Sequence, residues 1–114
     1  MESLKVLVVD DEPNIRDLLS ASLRFAGHQV LTSPNGTDAI AKIIDTQPDI
    51  VLLDVMMPGM DGYEVCRRLK ANPDTADIPV LFLSGRTAAE DERIGLEIGA
   101  EDYLAKPVNP AVML

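Results

Sequence analysis

Four groups of side chains in this sequence could share one piece of chemistry. Asp10, Asp11 and Glu12 form an acidic run, Asp54 follows Leu52-Leu53, Ser84 follows Leu83, and Lys106 precedes Pro107. Carboxylates crowded together repel one another unless a cation neutralises them. Hard oxygen donors with open positions suit Mg²⁺, which binds one or two carboxylates and keeps room for water and phosphate oxygens. A carboxylate can also attack phosphorus and form an aspartyl-phosphate. A lysine ammonium and a serine hydroxyl could then hold the phosphoryl oxygens. The set reads as a Mg²⁺-dependent site for phosphorylating one aspartate, on condition that the fold brings its members together.

The elements that would do so are legible in the hydrophobic pattern. Short β-branched or Leu-rich runs alternate with helix-like stretches five times; the runs are Lys5–Val9, Gln29–Thr32, Ile50–Leu53, Val80–Leu83 and Asp102–Ala105. The first, third and fourth are nearly all apolar, as strands covered on both faces are. The second and fifth are weaker and read as edge strands. Between them, Ile15, Leu18, Leu19, Leu23 and Ala26 form one helical stripe, Ala39, Ile40, Ile43 and Ile44 a second, and Val65, Cys66 and Leu69 a third. Strand–helix repeated five times implies a doubly wound α/β fold with a parallel sheet and right-handed crossovers. Ligands in such sheets bind beyond the carboxyl ends of the strands. The acids, Ser84 and Lys106 all stand at those ends.

Local signals agree. Pro13 suits a first helical turn. Asp61 with Glu64, and Thr87 with Glu90, have cap-to-third-residue spacing. Gly27 and Gly99 suit helix ends. The fourth helix, near Ala88–Ile98, is the weakest: its clear apolar pair is Ile94 and Ile98, and Gly95 lies inside it. The fifth helix starts at Asn109-Pro110 and is cut short at Leu114, too short to be stable alone. Residues 1–114 therefore read as a single domain, a piece of a longer chain.

Composition narrows the function classes. The 114 residues are 46% hydrophobic and 25% charged, with 10 basic and 19 acidic side chains and a net charge of −9. This describes a folded domain rather than a disordered chain. The acidity disfavours direct binding to nucleic acid, which needs a basic patch, and to anionic membranes. No Trp is present. A single cysteine, Cys66, excludes an internal disulfide and is compatible with a reducing cytoplasm. The first apolar run is broken by Lys5 and ends in acids, unlike a signal peptide. A cytoplasmic protein is expected.

The order and spacing of the motifs resemble a known family. Val8-Val9-Asp10-Asp11-Glu12, Leu52-Leu53-Asp54-Val55-Met56-Met57-Pro58-Gly59-Met60-Asp61-Gly62, Leu83-Ser84 and Gly99-Ala100-Glu101-Asp102-Tyr103-Leu104-Ala105-Lys106-Pro107 look like the receiver domain of two-component response regulators. The resemblance implies a flavodoxin-like (βα)5 fold with strand order 2-1-3-4-5. It makes Asp54 the phosphoacceptor, supplied by a histidine kinase or a histidine phosphotransfer protein. Asp11, Asp54 and the backbone carbonyl of Met56 would ligate Mg²⁺, with Asp10 acting through metal-bound water. Lys106 would pair with the phosphoryl group, and Ser84 and Tyr103 would be the switch pair. The domain would catalyse its own phosphorylation and dephosphorylation while serving mainly as a signalling element. The face made by the fourth helix, fifth strand and fifth helix is where the family often dimerises or meets an output domain.

Two other functions compete. A phosphohydrolase resembling the haloacid-dehalogenase group would need a second Asp two residues after the nucleophile, where this sequence has Met56. A binding module that had lost phosphorylation would not need the whole set of acids and Lys106. Among the remaining residues, Cys66 lies on an apolar stripe and reads as a small core residue. His28 reads as a strand-start residue without chemistry. Met56, Met57 and Met60 read equally well as loop packing and as an adaptable patch for a kinase or phosphotransfer partner.

Overall fold

The computed structural model describes residues 3–84 and 102–105, with the backbone alone for Ser84 and for 102–105. The apolar runs form β1 (Lys5–Val9), β2 (Gln29–Ser33), β3 (Ile50–Asp54), β4 (Val80–Ser84) and β5 (Asp102–Ala105). They make one sheet in the order β2-β1-β3-β4-β5, and every pairing is parallel. In register, Val9 lies opposite Ser33 on one side and Leu53 on the other, and Leu53 lies opposite Phe82. β2 and β5 are the edges, as their weaker apolar patterns predict. β2, β3 and β4 each run one residue further than expected, so Asp54 and Ser84 are the last residues of their strands rather than the first residues beyond.

Side chains alternate across a strand, and here each set meets a different layer of helix. Leu7, Val9, Val51, Leu53, Val80 and Phe82 pack with Ala39 and Ile43 of α2 (Gly36–Thr46) and with Val65, Cys66 and Leu69 of α3 (Gly62–Ala71). Val6, Val8, Leu52, Leu81 and Leu83 pack with Leu19 and Leu23 of α1 (Pro13–Phe25). The three described helices thus cover both faces, as a doubly wound sheet requires. Each fully buried Leu or Phe contributes about 2 kcal/mol. Tyr63 adds an edge-on contact to Phe82, with ring centroids 5.2 Å apart. Cys66 is fully buried in this core, as its stripe predicts.

The helix ends follow their expected signals. Pro13 is the first residue of α1. At its other end, the N–H of Gly27 donates to the Arg24 carbonyl and that of His28 to the Leu23 carbonyl. This Schellman closure requires the positive φ of +97° that Gly27 adopts. Asn35 caps α2 by accepting from the Asp38 N–H at 2.8 Å. Asp61 caps α3 by accepting from Glu64 N–H at 2.9 Å, while the Glu64 carboxylate turns outward to Arg68 at 3.2 Å.

Two stripes are narrower than the sequence suggests. Leu18 and Ile44 are 58% and 49% exposed, and Ala26 caps α1 on the surface. A single sheet face meets only the strip of helix turned towards it, so Leu19, Leu23, Ala39 and Ile43 fill that strip and their neighbours fall outside it. The expected fourth and fifth helices lie outside the described residues.

Candidate functional site

β1 and β3 are neighbours, but the chain leaves them in opposite directions, towards β2 and towards β4. At such a switch point the loops diverge and leave a crevice at the carboxyl ends of the strands. Asp10 follows β1 and Asp54 ends β3. The carboxylates of Asp10, Asp11 and Asp54 come within 4.8 Å of one another. Asp10 is fully buried and Asp54 is 2% exposed, whereas Asp11 is more open to solvent.

The local backbone explains how like charges are held this close. The Asp10 N–H donates to the Ser33 carbonyl at 3.2 Å. One Asp10 carboxylate oxygen accepts the Glu12 N–H at 2.9 Å, closing a tight turn through Asp11. Arg16, one turn into α1, donates from Nη1 to the Asp10 carbonyl at 2.6 Å. The amino-terminal end of α1 begins directly after the turn, and that end of a helix favours negative charge.

Asp54 is fixed from the other side. The Val55 N–H donates to Leu83 at 3.0 Å, and the Gly62 N–H donates to the Val55 carbonyl at 3.0 Å. Gly62 approaches so closely that a Cβ there would overlap the Asp54 carbonyl oxygen and stand 2.9 Å from the Val55 Cα. The first turn of α3 can therefore press against the end of β3 only because residue 62 is glycine.

A further network braces the rim at β2. The buried Ser33 hydroxyl donates to the Asp38 carboxylate at 2.7 Å, and Lys42 Nζ sits 3.0 Å from the same oxygen. The Ser33 hydroxyl, and after it the Lys42 ammonium, hold the Asp38 carboxyl below its ordinary value near 3.8. Because the Ser33 carbonyl also accepts from Asp10, this network touches the backbone of the acidic group.

Of the residues expected to do chemistry, the fold brings Asp10, Asp11 and Asp54 together. Met56 follows Asp54 by two residues; its N–H lies 3.4 Å from an Asp54 carboxylate oxygen and its side chain is 55% exposed. The Ser84 backbone ends β4, the strand beside β3, and lies opposite Ala105 in register. Tyr103 lies in β5 opposite Phe82. The side chains of Ser84 and Tyr103, and all of Lys106, lie outside the described residues. The three loop methionines divide: Met57 is buried in the core, Met60 is half-buried against it, and Met56 is the most open of the three.

Arg16, Ser33 and Gly62 have no role in the sequence reading, yet they hold the site. Arg16 carried one usable signal, since it stands four residues after Glu12 and helical geometry turns it back over the acidic run. No local signal marks Ser33, whose partner Asp10 is distant in sequence, and Gly62 stands in the motif around Asp54 without a role assigned to it there.

Fold and site together define a class: a doubly wound α/β domain with an acidic, oxygen-lined crevice at its central strand ends. A family model for the response regulator receiver domain matches residues 6–114, and the chain belongs to that family. It is 43% identical over 105 residues to the phosphate regulon transcriptional regulatory protein PhoB of Pseudomonas aeruginosa, covering 92% of this chain and 46% of that protein. It is 46% identical over 112 residues to the response regulator PleD of Caulobacter vibrioides, covering 97% of this chain and 24% of that one. This chain thus spans less than half the length of either curated relative. Among solved structures, the Vibrio cholerae chemotaxis protein CheY4 superposes with a TM-score of 0.90 at 35% identity, covering 96% of this chain and 92% of that chain. The receiver fold is therefore the CheY type. Among the described residues, no helix is long and apolar enough to cross a membrane.

Proposed function

We propose that this chain is a phosphorylation-dependent signalling switch that accepts a phosphoryl group on Asp54. The observation that carries this reading is the gathering of Asp10, Asp11 and Asp54 within 4.8 Å in a receiver fold, with Asp54 almost wholly buried. The donor is a phosphohistidine of a histidine kinase or a phosphotransfer protein. A carboxylate oxygen of Asp54 bonds to phosphorus as the phosphorus–nitrogen bond breaks, and the imidazole leaves with the electron pair.

The donor set is all oxygen, and two of its three carboxylates are buried, which fits a hard divalent cation such as Mg²⁺. Asp11, Asp54 and the Met56 carbonyl would hold it directly, and Asp10 through water. Bound there, Mg²⁺ supplies positive charge against the acids and the phosphoryl oxygens. Lys106 provides a second positive charge for the phosphoryl group. Ser84 moves to a phosphoryl oxygen and Tyr103 turns inward. A phosphoryl group adds about 1.5–2 negative charges and three acceptor oxygens, enough to bias a two-state element.

The readout is an output domain, or a second copy meeting the fourth helix–fifth strand–fifth helix face. PhoB is named a transcriptional regulator. In a longer regulator of that kind, DNA contact would fall to another segment, since the net charge of −9 disfavours it here. The work is cytoplasmic.

The test is incubation with Mg²⁺ and a small acyl-phosphate, followed by intact mass measurement. One hydroxylamine-labile phosphoryl group is expected on the wild type, with complete loss in Asp54→Asn and on chelation of Mg²⁺. An undiminished adduct on Asp54→Asn would refute the assignment.

A further inference from the structure

We infer that Arg16 is a positioning residue for the metal-binding acids, acting through the backbone of Asp10. This inference rests on the proposed Mg²⁺ site and adds a residue to it. Arg16 lies on α1, and its guanidinium points back across the acidic turn to donate to the Asp10 carbonyl at 2.6 Å. A charge-assisted hydrogen bond of that length is among the stronger kinds. It closes a clamp, because the Asp10 N–H is already held by the Ser33 carbonyl and the Asp10 carboxylate by the Glu12 N–H. With all three groups of Asp10 fixed, the following peptide is fixed too, and it carries Asp11.

The charge of Arg16 matters as well as its donor. Three carboxylates within 4.8 Å repel one another, and the turn that carries two of them would relax outward if it were free. A cation bonded to the carbonyl at the base of the turn opposes that relaxation before any metal arrives. Its own charge works against metal binding from a distance, so preorganisation and repulsion have opposite signs. The guanidinium spends its donor on a carbonyl rather than a carboxylate, which leaves the carboxylates available to a metal. Positioning is therefore the larger effect, and removing Arg16 weakens Mg²⁺ binding.

The test is a Mg²⁺ titration of the whole chain followed by the amide resonances of Asp10, Asp11 and Glu12, a readout independent of phosphorylation. Arg16→Ala is expected to raise the half-saturating Mg²⁺ concentration about tenfold, the lower end of the cost of losing an outer partner of a metal site. Arg16→Lys, which keeps a charge and one donor, is expected to recover most of that loss. Arg16→Met keeps the side-chain length without the donor and should match Arg16→Ala, which covers a folding failure in either variant. Arg24→Ala removes a longer contact on the same helix, from Arg24 to the Val30 carbonyl at 3.4 Å, and should leave Mg²⁺ binding unchanged. Wild-type affinity in both Arg16→Ala and Arg16→Met overturns the inference, as does tighter binding or an equal loss in Arg24→Ala. A wild type that does not respond to Mg²⁺ overturns the proposed metal site, and the inference with it.

Discussion

At the amino-terminal ends of the strands, the Lys5 N–H meets the Asp49 carboxylate at 2.7 Å, Lys5 Nζ meets the Thr46 carbonyl at 2.9 Å, and the Leu4 N–H donates to Nδ1 of His28 at 3.1 Å. At the carboxyl ends, Asp10, Asp11 and Asp54 face one another within 4.8 Å. The first rim joins each polar group to a partner of complementary character. The second gathers like charges and fixes them in place from behind, through Ser33, Arg16 and Gly62. Both rims belong to the same strands, so the difference comes from what the connecting loops carry. Where polar groups only close the fold, complementarity is the cheapest arrangement. Holding like charges together with two of the three buried costs folding free energy, which the proposed cation would offset.

That contrast can be broken most severely at Gly62. Gly62→Ala forces a methyl group against the backbone of Asp54, and overpacking of this kind costs about 1–3 kcal/mol. We expect the loss of stability in urea unfolding to be accompanied by slower phosphorylation, because Asp54, the proposed acceptor, is displaced. Wild-type stability and rate together would mean that the end of β3 yields easily.

The opposite rim offers the next largest effect. His28→Ala removes the acceptor for the half-buried Leu4 N–H, at a cost of about 1–1.5 kcal/mol. Phosphorylation at saturating Mg²⁺ should stay at the wild-type rate, since His28 stands at the far end of the sheet. A parallel fall in rate would show that the two rims are not independent.

Asp10→Asn sharpens the comparison with an effect of the opposite sign. It removes one of three like charges while keeping an oxygen for the Glu12 N–H. A gain of about 1 kcal/mol is expected in chelator, shrinking as Mg²⁺ is added and stabilises the wild type instead. A destabilised variant in chelator would show that the acids do not repel strongly enough to matter.

The smallest effect is at Asp38. Its carboxyl is held below the ordinary value near 3.8 by Ser33 and Lys42, so its contribution is present above that value and is lost as the pH falls through the folded one. Being substantially exposed, it is worth only a few tenths of a kcal/mol. The stability difference between wild type and Asp38→Asn should therefore close on acidification below about pH 4. A difference independent of pH would assign the brace to packing rather than charge.

The legibility of this protein in its sequence follows the range of the interactions. Caps and strands are local, so Pro13, Gly27, Asp61 and the five apolar runs are readable within a few residues. Helix stripes were readable in period but too wide, because Leu18 and Ile44 have the right spacing and the wrong side of the helix. The acidic site was legible because the fold rule places every strand end on one rim, and the acids occupy strand ends. The role of Ser33 was not legible, since it depends on which backbone atoms another loop brings near; Arg16 and Gly62 act within their own strand–helix connections, where the reach of a side chain and the closeness of two backbones are settled only by the folded geometry.

The sequence by itself determined the alternation of strand and helix, the kind of chemistry its side chains permit, and which strands are buried on both faces. Periodicity and side-chain type are properties of a chain read in order. Tertiary structure decided that Asp10 and Asp54, 44 positions apart, share one crevice, and that their backbones are clamped by a guanidinium, a serine carbonyl and a glycine. The shared crevice arises only when β1 and β3 lie side by side, and the Ser33 carbonyl reaches Asp10 only through the pairing of β1 with β2, because ångström distances between remote residues are set by packing, not by order.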